Sequence, residues 1–488
     1  MLRWSFIFLS ITFSQVSLSQ SSFQGRVLDA ETGEGLIGAH VYSLTNWRNG
    51  TISGIDGFFT VKTSSENDSL VVSYIGFEER VVSISNKNIF MYPMKINGEE
   101  VVITAQSPVA EEFKYMKIKK LDIYTNPVAK ADPLLAVHAL PSSTTTDESA
   151  SISLRGSSPA ETGIFLNGVP LYDGVRYAQL NGVGTFSLFN TSIIKDVTVF
   201  PGNPPLEYGN TTSGVVSLTT DDKVLKESSN SAILSMANLG FSRNQRLSKK
   251  ASMILFSNWQ PSKVLKAVNR DALNEIASFQ SVDLGIYAYG GSKKLAWKVL
   301  NYSITEGYAF HFQHPSFQGL FNQRKKRTFL THSLEMQMGP GRLVYNQLLS
   351  ASDGEFNYSN AAFNLKKRDF FSGINYVITK ETYALKAGIA YDERNASVDG
   401  VFHRFSYALS SLHPVIARKG QSSVRLLEGF SYLKVYMSDH LSMGIGVRKN
   451  VALNNQSDHW SGQLNFAFVK GAWTLTAGAG SYYKYGLL

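Results

Sequence analysis

The 488-residue chain contains no cysteine. That removes disulfides, thiolate chemistry and thiolate-zinc sites together, and with them any lipoprotein anchor, which needs a cysteine at its cleavage point. Charge is scarce too, with Asp, Glu, Lys and Arg making up 17% of residues. Long apolar runs are missing: Trp4–Phe13 reaches about half of the ~20 residues a membrane-spanning helix needs, and no other segment does better. Residence in a membrane would therefore have to be as a barrel, because only helices and closed barrels satisfy their backbone there. Catalytic patterns are absent as well. There is no zinc-protease histidine pair, no phosphate loop and no nucleophile elbow, and Gly182-Val-Gly184 lacks the rest of a dinucleotide fingerprint. His311 and His314 read as polar loop surface rather than metal ligands. No catalytic residue, metal ligand or cofactor is expected, and the chain is not read as an enzyme.

What is present is glycine (39 residues), aromatic side chains (12%) and a net charge of +9. The length calls for two or three domains. A long, weakly charged, Gly- and aromatic-rich chain fits an outer-membrane β-protein better than a cytosolic enzyme. The positive charge has no long basic block behind it. Its densest run, Arg324-Lys-Lys-Arg327, is placed in a loop facing solvent or anionic lipopolysaccharide, not nucleic acid.

Residues 1–19 read as a signal peptide, with Arg3 as the positive n-region, Trp4–Phe13 as the apolar core, and Ser17 and Ser19 preceding a cut before Gln20. Residues 20–95 read as a compact β-sandwich of about seven strands. Phe23–Asp29 and Leu36–Tyr42 alternate, Thr32–Gly35 turns, and Thr51–Val61, Leu70–Phe77 and Glu79–Ile84 complete the set. Residues 96–108 hold a short β run, Glu100-Val101-Val102-Ile103-Thr104. In residues 109–221, Asp132–Pro141 reads as a short helix capped by Asp132, with Pro133 at its first position. Four short β runs follow, each stopped by Gly, Pro or Asn. They carry Arg155-Gly156, Asn167-Gly168, Pro201-Gly202 and Tyr208-Gly209. From residue 222 to 488 about a dozen alternating runs recur, such as Val282–Tyr289, Tyr383–Tyr391, Leu441–Val447 and Trp473–Ala479. Short turns such as Gly339-Pro-Gly341 separate some neighbours and longer polar stretches such as His311–Arg327 separate others, the pattern of a transmembrane barrel.

The order and spacing of the blocks from Ile152 to Leu218 resemble the plug domain of TonB-dependent outer-membrane receptors. Gly54-Ile-Asp-Gly-Phe-Phe and Val72-Ser-Tyr-Ile-Gly-Phe make residues 23–92 similar to the carboxypeptidase-regulatory-like (transthyretin-like) domain that precedes the plug in one branch of them. Two departures, Ser142-Ser143 after Leu140-Pro141 and Asn167 before Gly168, keep the turns. The resemblance implies a mostly β fold: an N-terminal sandwich, a mixed α/β plug and an antiparallel transmembrane barrel. It also implies that Glu100–Thr104 is the energy-coupling (Ton box) segment, added as a strand to an inner-membrane TonB-type protein. The remaining partners implied are outer-membrane lipid and an unidentified extracellular ligand such as a siderophore, vitamin or oligosaccharide. The location implied is the outer membrane of a Gram-negative bacterium. The rival reading is a non-transporting cell-surface adhesin or glycan-binding protein, which would have no use for a plug.

Such receptors enclose the plug in a 22-stranded barrel. Residues 222–488 supply about a dozen strands at about ten residues each plus connections, and Ser481–Leu488 resembles the middle of a strand. The expectation is an incomplete barrel and a truncated or split reading frame.

Overall fold

The computed structural model describes residues 21–486 apart from 31, 45–48, 64–68, 75–76, 85, 93–111, 146–148, 178–183, 235–238, 262–275, 293, 315–316, 405–413, 439, 455 and 472. The signal segment and Glu100–Thr104 lie outside the described residues. The chain divides into two compact units, Met1–Val101 and Val102–Leu488.

The first unit is a sandwich of seven short strands: β1 (Ser21–Asp29), β2 (His40–Ser43), β3 (Gly50–Ile52), β4 (Phe58–Thr63), β5 (Ser69–Ser73), β6 (Arg80–Ser83) and β7 (Asn88–Met91). One sheet runs β4-β1-β7 and the other β3-β2-β5-β6. Alternation sets the inner face: Val41 on β2, Val72 on β5 and Ile89 with Met91 on β7 are buried, together with Val27, Phe59 and Leu70. Each such side chain contributes about 1.5–3 kcal/mol when fully buried. Two further devices hold the turns. Gly57 takes φ 78°, and a Cβ there would run into the Val27 carbonyl. Ser53 Oγ accepts from Ala39 N at 2.8 Å and donates to Leu36 O at 2.5 Å while almost wholly buried. Ser53→Ala strands both backbone groups, so this unit should lose about 1–3 kcal/mol, read as a lower urea midpoint for its transition. A change below 0.5 kcal/mol would remove Ser53 from the list of structural hydrogen bonds.

The second unit begins with a middle domain. Among the described residues its strands are β8 (Met116–Lys119), β9 (Gly163–Leu166), β10 (Val169–Pro170), β11 (Val175–Arg176), β12 (Phe186–Ser187), β13 (Ile194–Phe200) and β14 (Val215–Thr220), with one α-helix, α1 (Lys120–Thr125). Five of the strands form a mixed sheet, β10-β9-β14-β13-β8. The Asp132 segment is a 3₁₀ turn over Leu135–Ala139, tighter than the helix expected. The turn's own N-cap position is Leu134, and Asp132 lies two residues ahead of it, accepting from Leu134 N at 2.9 Å and Leu135 N at 3.1 Å, while its second oxygen accepts from Ser187 N at 2.7 Å. Burial pushes the Asp132 carboxyl above its ordinary range, against the pull of those hydrogen bonds.

Thirteen antiparallel strands follow in simple succession: β15 (Ser229–Leu234), β16 (Leu239–Ser248), β17 (Ala251–Pro261), β18 (Ile276–Gly291), β19 (Leu295–His314), β20 (Phe317–Met338), β21 (Gly341–Tyr358), β22 (Ala361–Thr379), β23 (Tyr383–His403), β24 (Val415–Ser438), β25 (Leu441–Ala452), β26 (His459–Lys470) and β27 (Trp473–Gly480). Each pairs with its sequence neighbours, and the sheet does not close: β15 and β27 are its two edges. Strict alternation gives this wall two faces. Val282, Leu284 and Ile286 on β18, Leu427 and Leu433 on β24, and Leu464, Phe466 and Phe468 on β26 are exposed on one face. Asp283, Gln323, Lys325, Arg327, Lys434 and Asn465 are buried on the other, against the middle domain.

Three details depart from the sequence reading. Arg324–Arg327 and most of His311–Arg327 are strand, not loop, because β19 and β20 pair without interruption from Leu295↔Met336 to His314↔Phe317. Within the basic run, Arg324 and Lys326 are exposed while Lys325 and Arg327 are buried. The third is the tail: strand structure ends at Gly480, and residues 481–486 leave the sheet. Tyr482 Oη donates to Pro204 O at 2.9 Å and Tyr485 N to Asn210 Oδ1 at 2.7 Å, which ties the tail to the middle domain.

Candidate functional site: the buried seam between the middle domain and the strand wall

The tip of the middle domain is the turn from Leu171 to Tyr177, and it meets the wall through charge. Asp173 pairs with Lys325 and, at 3.2 Å, with Arg327. Arg327 also reaches Glu306 at 3.0 Å and donates to Val175 O at 2.6 Å. Arg176 pairs with Asp283 at 3.0 Å and donates to Tyr302 Oη at 2.8 Å. Burial would push the Asp173 carboxyl up, but Lys325 and Arg327 beside it hold it well below the usual carboxylate range.

Above this charged level the wall carries an aromatic ledge. Tyr177, at φ 53°, lies 6.3 Å from Phe279 and 6.0 Å from Tyr308. Phe310 and Phe321 are 5.1 Å apart, Phe356 and Phe363 5.1 Å, and Phe363 and Phe402 4.6 Å. Phe321, Lys325 and Arg327 share parity on β20, so ledge and charges occupy one face.

The base of the middle domain is tied elsewhere. Glu112 pairs with Lys434 at 2.8 Å, both side chains fully buried, and accepts from Tyr432 Oη at 3.0 Å. Phe113 packs beside it on Phe200 and Tyr432. Glu207 pairs with Lys386, and Arg448 donates to Leu206 O at 2.7 Å while pairing with Glu428 at 2.5 Å.

The motif residues picked out from sequence fall within this framework, as packing and turn elements. Arg155 (φ 52°) lies over Gly202, where a Cβ would sit 2.8 Å from its guanidinium. Gly156 (φ 78°) donates to Thr144 Oγ1 at 2.8 Å. Asn167 and Gly168 (φ 50° and 80°) form the tight turn between β9 and β10, and the Asn167 amide is held by Thr220 N at 3.0 Å. Pro201 is buried beside Gly202 at the end of β13. Tyr208 stacks edge-on to Phe165 at 4.8 Å, and burial pushes its hydroxyl up. Gly209 lies directly under the Arg448 guanidinium. Glu100, Val101, Val102, Ile103 and Thr104 are not among the described residues. Sequence reasoning missed the charges that join the two layers. Asp173, Arg176 and Glu207 sit in polar turns, and Lys325 with Arg327 alternates with the equally basic Arg324 and Lys326, so no pattern marks the inward pair.

A carboxypeptidase-regulatory-like domain model matches residues 23–103, and the TonB-dependent receptor plug domain model matches residues 125–216. The chain carries a TonB-dependent receptor plug. Solved structures share the architecture. The siderophore receptor PirA from Acinetobacter baumannii superposes with a TM-score of 0.58 at 16% identity, over 79% of this chain and 63% of that one. The ferric enterobactin receptor PfeA from Pseudomonas aeruginosa gives 0.55 at 15%, over 76% and 62%. The copper transporter OprC gives 0.56 at 11%, over 75% and 63%. The chain thus spans less than two thirds of the length of each. No curated protein sequence matches it. Among the described residues no group of His, Cys, Asp or Glu is arranged to hold a metal ion, and no helix is long and apolar enough to cross a membrane.

Proposed function

We propose that this protein is an energy-coupled uptake receptor of a Gram-negative outer membrane. The observation that carries the reading is the plug itself, fastened by buried ion pairs to the polar face of a strand meander whose other face is apolar. An apolar outer face suits lipid. Strands of 18–24 residues over β20–β24 exceed the 9–11 needed to cross a bilayer, so the wall extends beyond it on the side of the aromatic ledge. A ligand lodged there would touch Tyr177 of the plug and the Phe310–Phe321 and Phe356–Phe363 pairs of the wall, and its rings or sugar faces would stack on them. The solved neighbours are named for siderophores and copper; siderophore, vitamin and oligosaccharide all remain suitable classes for this chain.

Coupling is assigned to Glu100–Thr104, pairing as an added strand with a TonB-type inner-membrane protein. Main-chain hydrogen bonds carry the load, so side chains matter little and proline matters greatly. Val102→Pro removes a donor and fixes φ. Uptake by cells should fall to the level of a coupling-deficient strain while ligand retention at the cell surface persists, measured with a panel of iron chelates, vitamins and glycans. Loss of both together, or of neither, would overturn the coupling assignment.

A further inference from the structure

The face of the strand wall turned away from the plug carries a groove of about 470 Å³ across β20–β23, among Leu330, Leu349, Ala351, Arg368, Phe370 and Asn395. These side chains share one face by register: Leu330 pairs with Leu349 and Leu349 with Phe370, while Ala351 pairs with Arg368 and Arg368 with Asn395. The buried Lys325, Arg327 and Asp369 have the opposite parity. The short side chain of Ala351 leaves room between two unlike borders. Leu330, Leu349 and Phe370 form the apolar border. On the side of the aromatic ledge the border is polar and rigid. Arg368 donates to Ser352 O at 3.1 Å and Lys367 O at 2.7 Å, and to both oxygens of Asp353 at 2.9 and 3.2 Å. At the far end Glu393 is held by Arg425 at 3.0 Å, Tyr391 Oη at 2.9 Å and Asn395 at 3.1 Å.

Beyond Arg368 the same face becomes basic. Lys326, Asp353 and Lys366 stand side by side in one register row, and Arg324 stands opposite Glu355 in the next. Arg324, Lys326 and Lys366 are exposed and make no ion pair among the described residues. On β20–β22, four cations thus face two carboxylates, one of which Arg368 already occupies.

We propose that this groove binds an acylated lipid with a phosphorylated headgroup, its chain against Leu330, Leu349 and Phe370 and its phosphate on Lys326 and Lys366. The inference rests on the membrane reading above and adds a defined lipid site to it. The volume is that of a small-molecule site. A soluble anion would have no use for the apolar border, and a neutral lipid none for the surplus of positive charge. Lys326 and Lys366 lie two strands apart, roughly 10 Å, and converge by laying their stems on the sheet while the ammonium groups reach headgroup level. Basic side chains near a bilayer surface attract anionic headgroups in this way.

The test is native mass spectrometry of the full chain from dodecyl maltoside micelles, titrated with diphosphorylated lipid A and with the same lipid after removal of both phosphates. One diphosphorylated molecule should be retained per chain, and the dephosphorylated form should bind at least about tenfold more weakly. Lys326→Gln with Lys366→Gln should weaken retention at least about tenfold. Ala351→Trp, which fills the groove, should do the same. Lys419→Gln, an exposed cation paired with Asp399 elsewhere on the wall, should change nothing. Lys326 and Lys366 are exposed, so an unchanged urea midpoint checks that their double variant folds. Equal retention by wild type and the double lysine variant, or of the two lipid forms, would overturn the proposal by showing partition into the micelle alone. Displacement of the lipid by inorganic phosphate at equal concentration would also overturn it, since the site would then hold an anion without its chain. Retention is read without uptake, so its failure is distinct from failure of the uptake assay on Val102→Pro.

Discussion

Arg327→Met should destabilise the joined plug and wall by about 3–5 kcal/mol, because it deletes one partner of a buried charge cluster and leaves the others in place. Glu306, fully buried and bonded to Arg327 at 3.0 Å, would keep, among the described residues, the Tyr177 N–H at 3.2 Å. Asp173 would keep Lys325 but lose Arg327, and Val175 O would lose its donor at 2.6 Å. Methionine fills similar volume without charge, so the loss is electrostatic rather than a cavity effect. The effect is measured as the urea midpoint of the full chain in detergent micelles, with Arg327→Met/Glu306→Gln as the second arm. The double variant should recover part of the loss, since it no longer buries an unpaired carboxylate. A pH series sharpens this. The Asp173 carboxyl is held low in the folded protein, so its contribution is fully present above the unfolded carboxylate value of about 4. It is lost only as pH falls through the lower folded value. Without Arg327 the folded value moves back up, and the gap between variant and wild type should narrow as pH drops below about 4. A midpoint shift under 1 kcal/mol at neutral pH would show that water, not Arg327, compensates Glu306.

Lys434→Met should be comparably costly, by about 3–5 kcal/mol, and its effect should be local to the entry of the plug. Lys434 and Glu112 are both fully buried at 2.8 Å, and Glu112 retains, among the described residues, Tyr432 Oη when the ammonium is gone. Among the described residues of the plug the pair is the tie nearest the N-terminal side, so its loss should free the Glu112–Phe113 end before the rest of the plug. Limited proteolysis of the full chain should show faster cleavage around residues 105–115 in Lys434→Met. The double variant Lys434→Met/Glu112→Gln replaces a charge pair by neutral groups of similar size and should recover most of the stability. If the double variant is as unstable as the single, the pair does not act as a unit, and the contact of the Lys434 ammonium with the Tyr436 ring (4.7 Å) carries the effect.

Local chemistry alone determined a large part of this molecule. Period-two alternation in Phe23–Asp29, Val282–Tyr289 and Leu441–Val447 requires half-buried strands, because each residue step flips the side chain across the sheet. Asn167-Gly168 requires a tight turn, because both residues take positive φ there, at 50° and 80°. Asp132 followed by Pro133 requires a capped turn start, and the Asp132 oxygens do accept the backbone donors. These local rules were enough to place strands and turns along the chain, and the resemblance of the block order from Arg155 to Tyr208 to a known plug supplied the domain reading.

The tertiary structure decided what local rules leave open. The run Arg324-Lys-Lys-Arg327 is basic at every position, so alternation carries no information about which side faces inward. Only pairing along β19–β20 turns Lys325 and Arg327 toward Asp173 and Glu306. Glu112 meets Lys434 across 322 positions of sequence, and Asn203 meets Asn465 across 262. Nothing within a strand's length of either residue encodes that encounter. Ser481–Gly486 has the composition of a strand, yet leaves the sheet, with Tyr482 Oη on Pro204 O and Tyr485 N on Asn210 Oδ1. Sequence thus sets which residues alternate and where the chain turns. Which charges face each other across the seam depends on register over hundreds of residues, and that is fixed only when the sheet and plug assemble.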